Sequence, residues 1–265
     1  MIGFLIKKTF FDLWDNLFRI ALLNLGFIAS FAIPALIPSL IPVDALAIAV
    51  LVIGGLWCCI YLSTAALTLK AISDYGSFGF ADFFRNLKVA WPSGLCVGII
   101  VVVLWLMITD VFFFYLSMNS LLGFFLAAVI FWTWMLGLFS FQFFFAVRAR
   151  LDTKLIKVFK KCFIIFFDNP GFAIFSLLHN IVLLIFSGLL AFLVPGPAGI
   201  LLFLDEALRL RLLKYDWLEA NPDPEAGEKR FRFRPRRVPW DTILIEEREK
   251  TGTRSFKSFI FPWKD

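Results

Sequence analysis

The sequence predicts an all-α membrane protein: a polytopic bundle of five to six transmembrane helices with interfacial amphipathic helices and a basic cytoplasmic tail. Hydrophobic residues make up 60% of the 265 residues and charged residues only 17%, whereas about a quarter of the residues in a soluble domain are charged. The chain also contains 35 Phe. A soluble fold of this length cannot bury so much apolar surface, and a bilayer would solvate the surplus.

Five long apolar runs supply the predicted crossings. Each is long enough to traverse a hydrocarbon core of about 30 Å as a helix, the conformation that satisfies backbone groups in lipid. Only a few residues separate the first run from the second and the third from the fourth, which predicts antiparallel neighbours. Prolines predict a bent or unwound end to the first run. The runs are residues 17–41, 44–69, 93–117, 121–147 and 172–194, and the prolines are Pro34, Pro38 and Pro42.

Three segments between the runs mix charges with large apolar residues. Residues 4–16 are either an interfacial helix or an early extension of the first crossing. Residues 73–91 predict a turn followed by an interfacial amphipathic helix, and residues 153–167 predict a second such helix. We expect a turn after each of these two helices, near Pro92 and near Pro170, followed by a new crossing.

The basic residues alternate from one side of the predicted membrane to the other. They precede the first run and occupy the loops between the second and third runs and between the fourth and fifth. The short gaps on the opposite side, at 42–44 and 118–120, contain a single charged residue, Asp44, and no Lys or Arg. The positive-inside rule therefore places the N-terminus in the cytoplasm. The basic residues are Lys7, Lys8, Lys70, Arg85, Lys88, Arg148, Arg150, Lys154, Lys157, Lys160 and Lys161.

The stretch VPGPAGILLFLDEALRLRLL from Val194 decides where the tail lies. With an internal N-terminus, the fifth run ends outside, yet the chain from residue 205 onward carries 14 Lys or Arg. We therefore expect residues 198–214 to return as an atypical sixth crossing, which makes 1–214 the transmembrane bundle and 215–265 a cytoplasmic tail. A re-entrant half-helix and an external tail are the alternatives.

Six polar residues within apolar runs form a candidate intramembrane site. An ionisable residue inside a membrane is a functional hypothesis by default, and helix packing through hydrogen bonds is the plainer alternative. In the predicted sixth crossing, the spacing of the charged residues makes pairing within the helix available. The candidates are Asp110, His179, Asn180, Asp205, Glu206 and Arg209.

No sequence motif indicates an enzyme. The chain contains no G-x-S-x-G, H-E-x-x-H, Walker A or dinucleotide fingerprint. One histidine and four cysteines without zinc-site spacing predict no metal site. We expect no catalytic residues and no cofactor. The basic and aromatic tail favours anionic lipid headgroups as its partner over a nucleic acid.

Two segments contain motifs that resemble those of a known family. IALLNLGFIASFAIP (20–34) has an apolar–Asn–apolar–Pro pattern, and STAALTLK…FADFFRNLK (63–88) has a Thr-Ala-Ala-Leu helix followed by an Asp-Phe-Phe-Arg loop. Both segments are similar to the corresponding parts of YesL-like bacterial integral membrane proteins. The resemblance covers residues 17–90; the interval from Pro34 to Thr64 is longer than in the family, and the tail is extra. The motif positions are Asn24, Pro34, Thr64, Ala65, Ala66, Asp82, Phe83, Phe84 and Arg85.

Two functions remain open from the sequence. The resemblance implies a bacterial inner-membrane protein with an accessory role linked to carbohydrate uptake. The first hypothesis is therefore a non-enzymatic accessory or scaffold subunit that binds a membrane protein partner or forms a homo-oligomer. The alternative is a small-solute transporter or channel that works as an oligomer, which a broken last helix with charged residues would suit.

Overall fold

The computed structural model describes residues 1–221, 238–252 and 254, and every regular element in them is helical. This confirms the predicted all-α class. A 3₁₀ turn at Ile37–Leu40 follows the second helix, and a π-helical turn at Met107–Val111 follows the fourth. The helices are α1 Ile2–Asp15, α2 Leu17–Leu36, α3 Asp44–Ser73, α4 Phe80–Leu106, α5 Phe112–Ser117, α6 Leu121–Phe141, α7 Phe144–Arg150, α8 Leu155–Asp168, α9 Pro170–Leu189, α10 Gly196–Ala220, α11 Trp240–Ile243 and α12 Ile245–Thr251.

Five helical segments are long and apolar enough to cross a membrane, so the chain is a multi-pass membrane protein. They agree with the five predicted runs, although the third begins earlier and the fifth ends earlier. The helix α10 contains the predicted sixth crossing and is not one of the five, so that crossing stays a prediction. The spans are Leu17–Leu40, Asp44–Ser73, Phe80–Ser117, Leu121–Arg150 and Pro170–Leu189.

The predicted turn near Pro92 is wrong, because α4 continues through this residue. Proline removes one backbone donor from a helix, but packing against α3 compensates. Gly94 lets the backbone of α4 approach Ile60, and the hydroxyls of Ser63 and Ser93 share a hydrogen bond of 2.7 Å. The amphipathic helix predicted within residues 73–91 is consequently the first part of the third span, which begins at Phe80, and not a separate helix.

Other predicted breaks are confirmed. Pro34 lies in the last turn of α2, and the 3₁₀ turn that follows contains Pro38. The second amphipathic segment forms α8, and Pro170 is the first residue of α9, where its missing N–H removes no helical bond. Much of the predicted basic and aromatic tail, namely residues 222–237, 253 and 255–265, lies outside the described residues.

The helix α10 is the centre of the bundle and packs against α1, α2, α3, α7 and α9. Its buried residues contribute to both hydrophobic cores. Leu202 packs with residues such as Ile20 and Leu69 in one core. Phe203 and Leu208 belong to the other, in which α7, α8 and α9 take part. The least apolar of the long helices is therefore enclosed by the more apolar ones.

Asn24 on α2 fixes the entry into α10. Its side-chain amide donates to the carbonyl oxygens of Leu193 and Pro195, each at 2.8 Å. Its side-chain oxygen accepts from the backbone N–H of Ala198 at 2.8 Å. Ser187 adds a hydroxyl oxygen that accepts from the N–H of Gly196 at 2.9 Å. These bonds satisfy backbone groups at a helix start that would otherwise be costly to bury.

Both ends of the described chain meet at one end of the bundle, which we call the basal end. Lys7 donates to the carbonyl oxygen of Gly252 at 3.5 Å, and Arg254 pairs with Asp15 at 2.9 Å. Tyr75, in the turn between α3 and α4, bonds to Glu247 of α12. The basal end therefore contains α1, the α3–α4 turn, α7 and the tail helices.

The close approach of α3 and α4 predicts different outcomes for two glycine substitutions. A Cβ atom at Gly94 would overlap the backbone of Ile60, whereas one at Gly55 meets nothing within 4 Å. We expect Gly94→Ala to destabilise the protein by about 1–3 kcal/mol, as overpacking typically does. Gly55→Ala should leave the melting temperature unchanged or raise it, because alanine favours the helix. Thermal unfolding of the purified protein in mild detergent would measure both, and equal stability of the two variants would contradict the proposed close packing.

Candidate functional site: a buried ionic cluster

Two consecutive carboxylates, Asp205 and Glu206, lie near the middle of α10, and both are buried. Successive helical residues point about 100° apart, so the two side chains face different neighbours. Glu206 faces α1, and Asp205 faces α7. The ionic cluster comprises these carboxylates and the residues that pair around them: Lys8, Asp12, Asp74, Arg150, Asp205, Glu206, Arg209 and Glu247.

Glu206 is fully buried and pairs with a fully buried lysine. Lys8 Nζ lies 3.2 Å from Glu206 Oε1, and the hydroxyl of Thr9 donates to Oε2. Lys8 also pairs with Asp12 and donates to the carbonyl oxygen of Ser73 at 3.3 Å. Burial alone would lower the pKa of Lys8, but the Glu206 and Asp12 carboxylates outweigh it and hold that pKa above its ordinary value. The ammonium group is therefore charged and fully hydrogen-bonded.

Asp205 receives a two-point contact from Arg150 at the end of α7. Arg150 Nε lies 2.8 Å from Oδ1 and Nη2 lies 2.5 Å from Oδ2. The same guanidinium donates to Asp74 Oδ1 at 2.9 Å and to the Ser73 hydroxyl at 2.8 Å. A bidentate pair of this kind is among the stronger hydrogen-bonded contacts in proteins. It joins the ends of α3 and α7 to the middle of α10.

Arg209 connects the cluster to the tail. Its guanidinium lies 2.9 Å from Asp74 and 2.8 Å from Glu247 of α12, and it also donates to the Ser73 carbonyl. Tyr75 lies beside it, with the Arg209 guanidinium 5.0 Å from its ring centre and its hydroxyl 2.7 Å from Glu247. Burial raises the pKa of Tyr75 above its ordinary value, which keeps its hydroxyl a hydrogen-bond donor.

The pairing that the sequence made available within α10 is replaced by pairing between helices. Asp205 binds Arg150, Glu206 binds Lys8, and Arg209 binds residues outside α10. The spacing of Asp205 and Arg209 allows a contact within the helix. Arg150 instead reaches Asp205 from a packed neighbour and offers two bonds with favourable geometry.

A second polar group joins the start of α9 to the later part of α10. Lys214 Nζ lies 3.0 Å from Asp168, and the Tyr215 hydroxyl donates to the same carboxylate at 2.6 Å. Arg211 donates to the side-chain oxygen of Asn169 at 3.1 Å. Burial would raise the pKa of Asp168, but the hydrogen bonds from Tyr215 and Lys214 outweigh it and lower that pKa. This group fixes the antiparallel pairing of α9 and α10.

The structure brings Asp205, Glu206 and Arg209 into one site but places the other three candidates elsewhere. Asp110 is exposed in the π-helical turn and accepts from the Thr109 hydroxyl at 2.6 Å. His179 packs its ring 4.2 Å from that of Phe203, between centroids. Asn180 is buried on α9, and its side-chain oxygen has no hydrogen-bond partner among the described residues.

The residues of the family-like motif have visible structural roles. Besides the Asn24 anchor, Pro34 packs against Gly54, and buried Thr64 donates to the Ile60 carbonyl. At the start of α4, Asp82 accepts from the N–H of Gly79 and pairs with Arg85 at 2.6 Å. Phe83 packs on the ring of Tyr61, and Phe84 is exposed.

No protein-family model, curated protein or solved structure matches the chain.

Sequence reasoning missed the partners of the α10 carboxylates. Lys8 and Arg150 were counted only as loop charges that set the orientation, and Asp74, Tyr75 and Glu247 were not singled out. One signal could have identified them: charged residues that flank spans at the same end of a bundle lie at a similar depth. This similarity of depth would have predicted ion pairs between the two α10 carboxylates and the basic residues at the loop ends.

The ionic cluster predicts a large difference between two aspartate substitutions. Asp205→Asn should destabilise the protein by about 3–5 kcal/mol, because it removes one partner of a buried ion pair. Asp82→Asn should cost less than about 1 kcal/mol, because its partner Arg85 is exposed. Thermal unfolding in detergent measures both.

A double variant separates the cost of leaving one buried charge unpaired from the cost of replacing the side chains. Arg150→Met combined with Asp205→Leu leaves neither member of this buried pair without the other, so we expect it to be more stable than Asp205→Asn. A double variant that is less stable than the single one would contradict the interpretation.

Proposed function

We propose that this multi-pass membrane protein is a non-enzymatic accessory or scaffold subunit of a membrane system. One observation carries the proposal: the ionic cluster joins α1, α3, α7, α10 and α12 through charges that bind one another. Charges engaged in this way hold the bundle together. The surfaces that remain available to a partner are those of α8 and of the basal end, in particular the tail.

The outward face of α8 has the chemistry of a docking surface. Lys157 and Lys160 are exposed, as are three apolar residues on the same helix. The opposite face is anchored by buried Val158, Cys162 and Ile165. Cations beside apolar side chains suit anionic headgroups and the cytoplasmic surface of a membrane protein partner. The exposed apolar residues are Ile156, Ile164 and Phe167.

The proposed location is the bacterial inner membrane, with both ends of the chain in the cytoplasm. The contacts of Lys7 with Gly252 and of Arg254 with Asp15 support placing the N-terminus and the tail on the same side. The positive-inside rule supports the cytoplasm as that side. A role linked to carbohydrate uptake rests on the resemblance to YesL-like proteins alone.

A transporter or channel that works as an oligomer is the second candidate, and Asp110 favours it. This residue lies in the π-helical turn of the third span, and single π turns occur frequently at functional sites. With Thr109 and Tyr115 it lines an open cavity of about 610 Å³. A second subunit that covers this cavity would be needed to enclose a solute.

Purification with associated proteins tests the accessory role. We expect the wild-type protein in mild detergent to retain a membrane partner in fixed proportion. The double variant Lys157→Glu with Lys160→Glu should lose that partner without a change in melting temperature, because both side chains are exposed. The matched control is Arg85→Glu, an exposed cation on α4. Recovery of a homo-oligomer alone would overturn the accessory role. The next measurement would then be solute flux into vesicles that contain the wild-type protein or Asp110 variants.

A topology test addresses the predicted sixth crossing. A reporter that is active only in the cytoplasm should be active both before Met1 and after Asp265. The same reporter inserted at residues 118–120, in the turn between α5 and α6, should be inactive. Activity of an externally active reporter after Asp265 would show an external tail and exclude the cytoplasmic one.

A further inference from the structure

An elongated apolar groove lies on the outside of the bundle between α2 and the start of α4. Its cavity measures about 590 Å³, within the range of about 300–1,000 Å³ that is typical of small-molecule sites. On α2 it follows one stripe from Phe18 to Ala29, and this stripe is about 16 Å long at the rise of an α-helix. Across from it are four phenylalanines: Phe78, Phe80, Phe83 and Phe84.

The floor of the groove is rigid. Tyr61 on α3 donates its hydroxyl to the Leu23 carbonyl at 2.8 Å. A Cβ atom at Gly26 would overlap the Tyr61 ring, so glycine permits this approach. Phe83 packs against the same ring, with 5.2 Å between the centroids. The groove is therefore formed by fixed helix-to-helix contacts.

One end of the groove is cationic, and the rest is apolar. Arg19 lies on the rim, exposed, and it donates to the side-chain oxygen of Asn16 at 3.0 Å. No carboxylate among the described residues pairs with it. Asn16 separates α1 from α2, so Arg19 lies at the basal end. From Arg19 the apolar stripe runs along the first span towards the middle of the membrane.

We propose that this groove binds one acyl chain of an anionic phospholipid, whose phosphate pairs with Arg19. A narrow apolar groove that begins at a cation beside the membrane surface matches a lipid in both shape and charge. An arginine fork is well suited to phosphate oxygens. The site goes beyond the proposed accessory role, because it concerns the lipid-facing side of α2 and not the partner surface of α8.

Native mass spectrometry of the full chain, released from nanodiscs of equal parts phosphatidylglycerol and phosphatidylcholine, tests this proposal. The wild-type protein should retain one phosphatidylglycerol in preference to phosphatidylcholine. Arg19→Gln should lower that retention about fivefold, which corresponds to about 1 kcal/mol for one basic residue at an anionic surface. Arg19→Lys should keep most of it. Lys88→Gln, an exposed cation on α4 that does not line the groove, is the control and should change nothing.

Filling the groove tests the acyl chain separately from the phosphate. Ala29→Phe should reduce the retention of both lipids, and Val52→Phe, on an exposed face of α3 outside the groove, should not. If Ala29→Phe lowers the melting temperature, Leu25→Trp serves instead, because Leu25 is exposed. Equal retention of the two lipids by the wild-type protein would overturn the proposal. Undiminished lipid retention by the variants with a filled groove would also overturn it. A cross-link between residue 84 and residues 255–265 would overturn it too, because it would show that the tail and not a lipid occupies the groove.

Discussion

The buried pair of Glu206 with Lys8 is the constraint on which the rest of the structure depends. Isolated ions are very costly to bury, and a pair is tolerated only when further hydrogen bonds satisfy both members. Here Thr9, Asp12 and the Ser73 carbonyl supply those bonds. Because the two members are 198 residues apart in sequence, the first helix and the last long helix must be assembled together. The other helices thus pack around α10.

The depth of α10 follows from the same contacts. Arg150 connects Asp205 to Ser73 at the ends of two spans, so Asp205 lies near the basal limit of those spans. Gly196 precedes it by nine residues, or about 13.5 Å of helix. That is about half of a hydrocarbon core of about 30 Å. The apolar first part of α10 is enclosed by α2, α3 and α9, and its polar second part extends to the start of α9, where Lys214 pairs with Asp168.

The fold class and the five spans were predictable because composition and apolar length dominate in lipid. The helix through Pro92 was not, because glycine packing between α3 and α4 overrides the local preference of proline for a helix end. For the candidate site, the sequence identified Asp205, Glu206 and Arg209 as unusual charges. It could not assign Arg150 or Lys8 to them, since contacts between helices depend on rotations that periodicity alone leaves open.

The tail and the bundle form one ionic unit at the basal end. Arg209 divides its guanidinium between Asp74, in the α3–α4 turn, and Glu247 of α12. Asp74 in turn also binds Arg150, so the tail contact and the Asp205 contact share a carboxylate. Release of α12 would leave Arg209 and Arg150 together on Asp74. Two cations on one partly exposed carboxylate are less well compensated than in the closed arrangement, so the docked tail stabilises the same helices that the buried pairs hold.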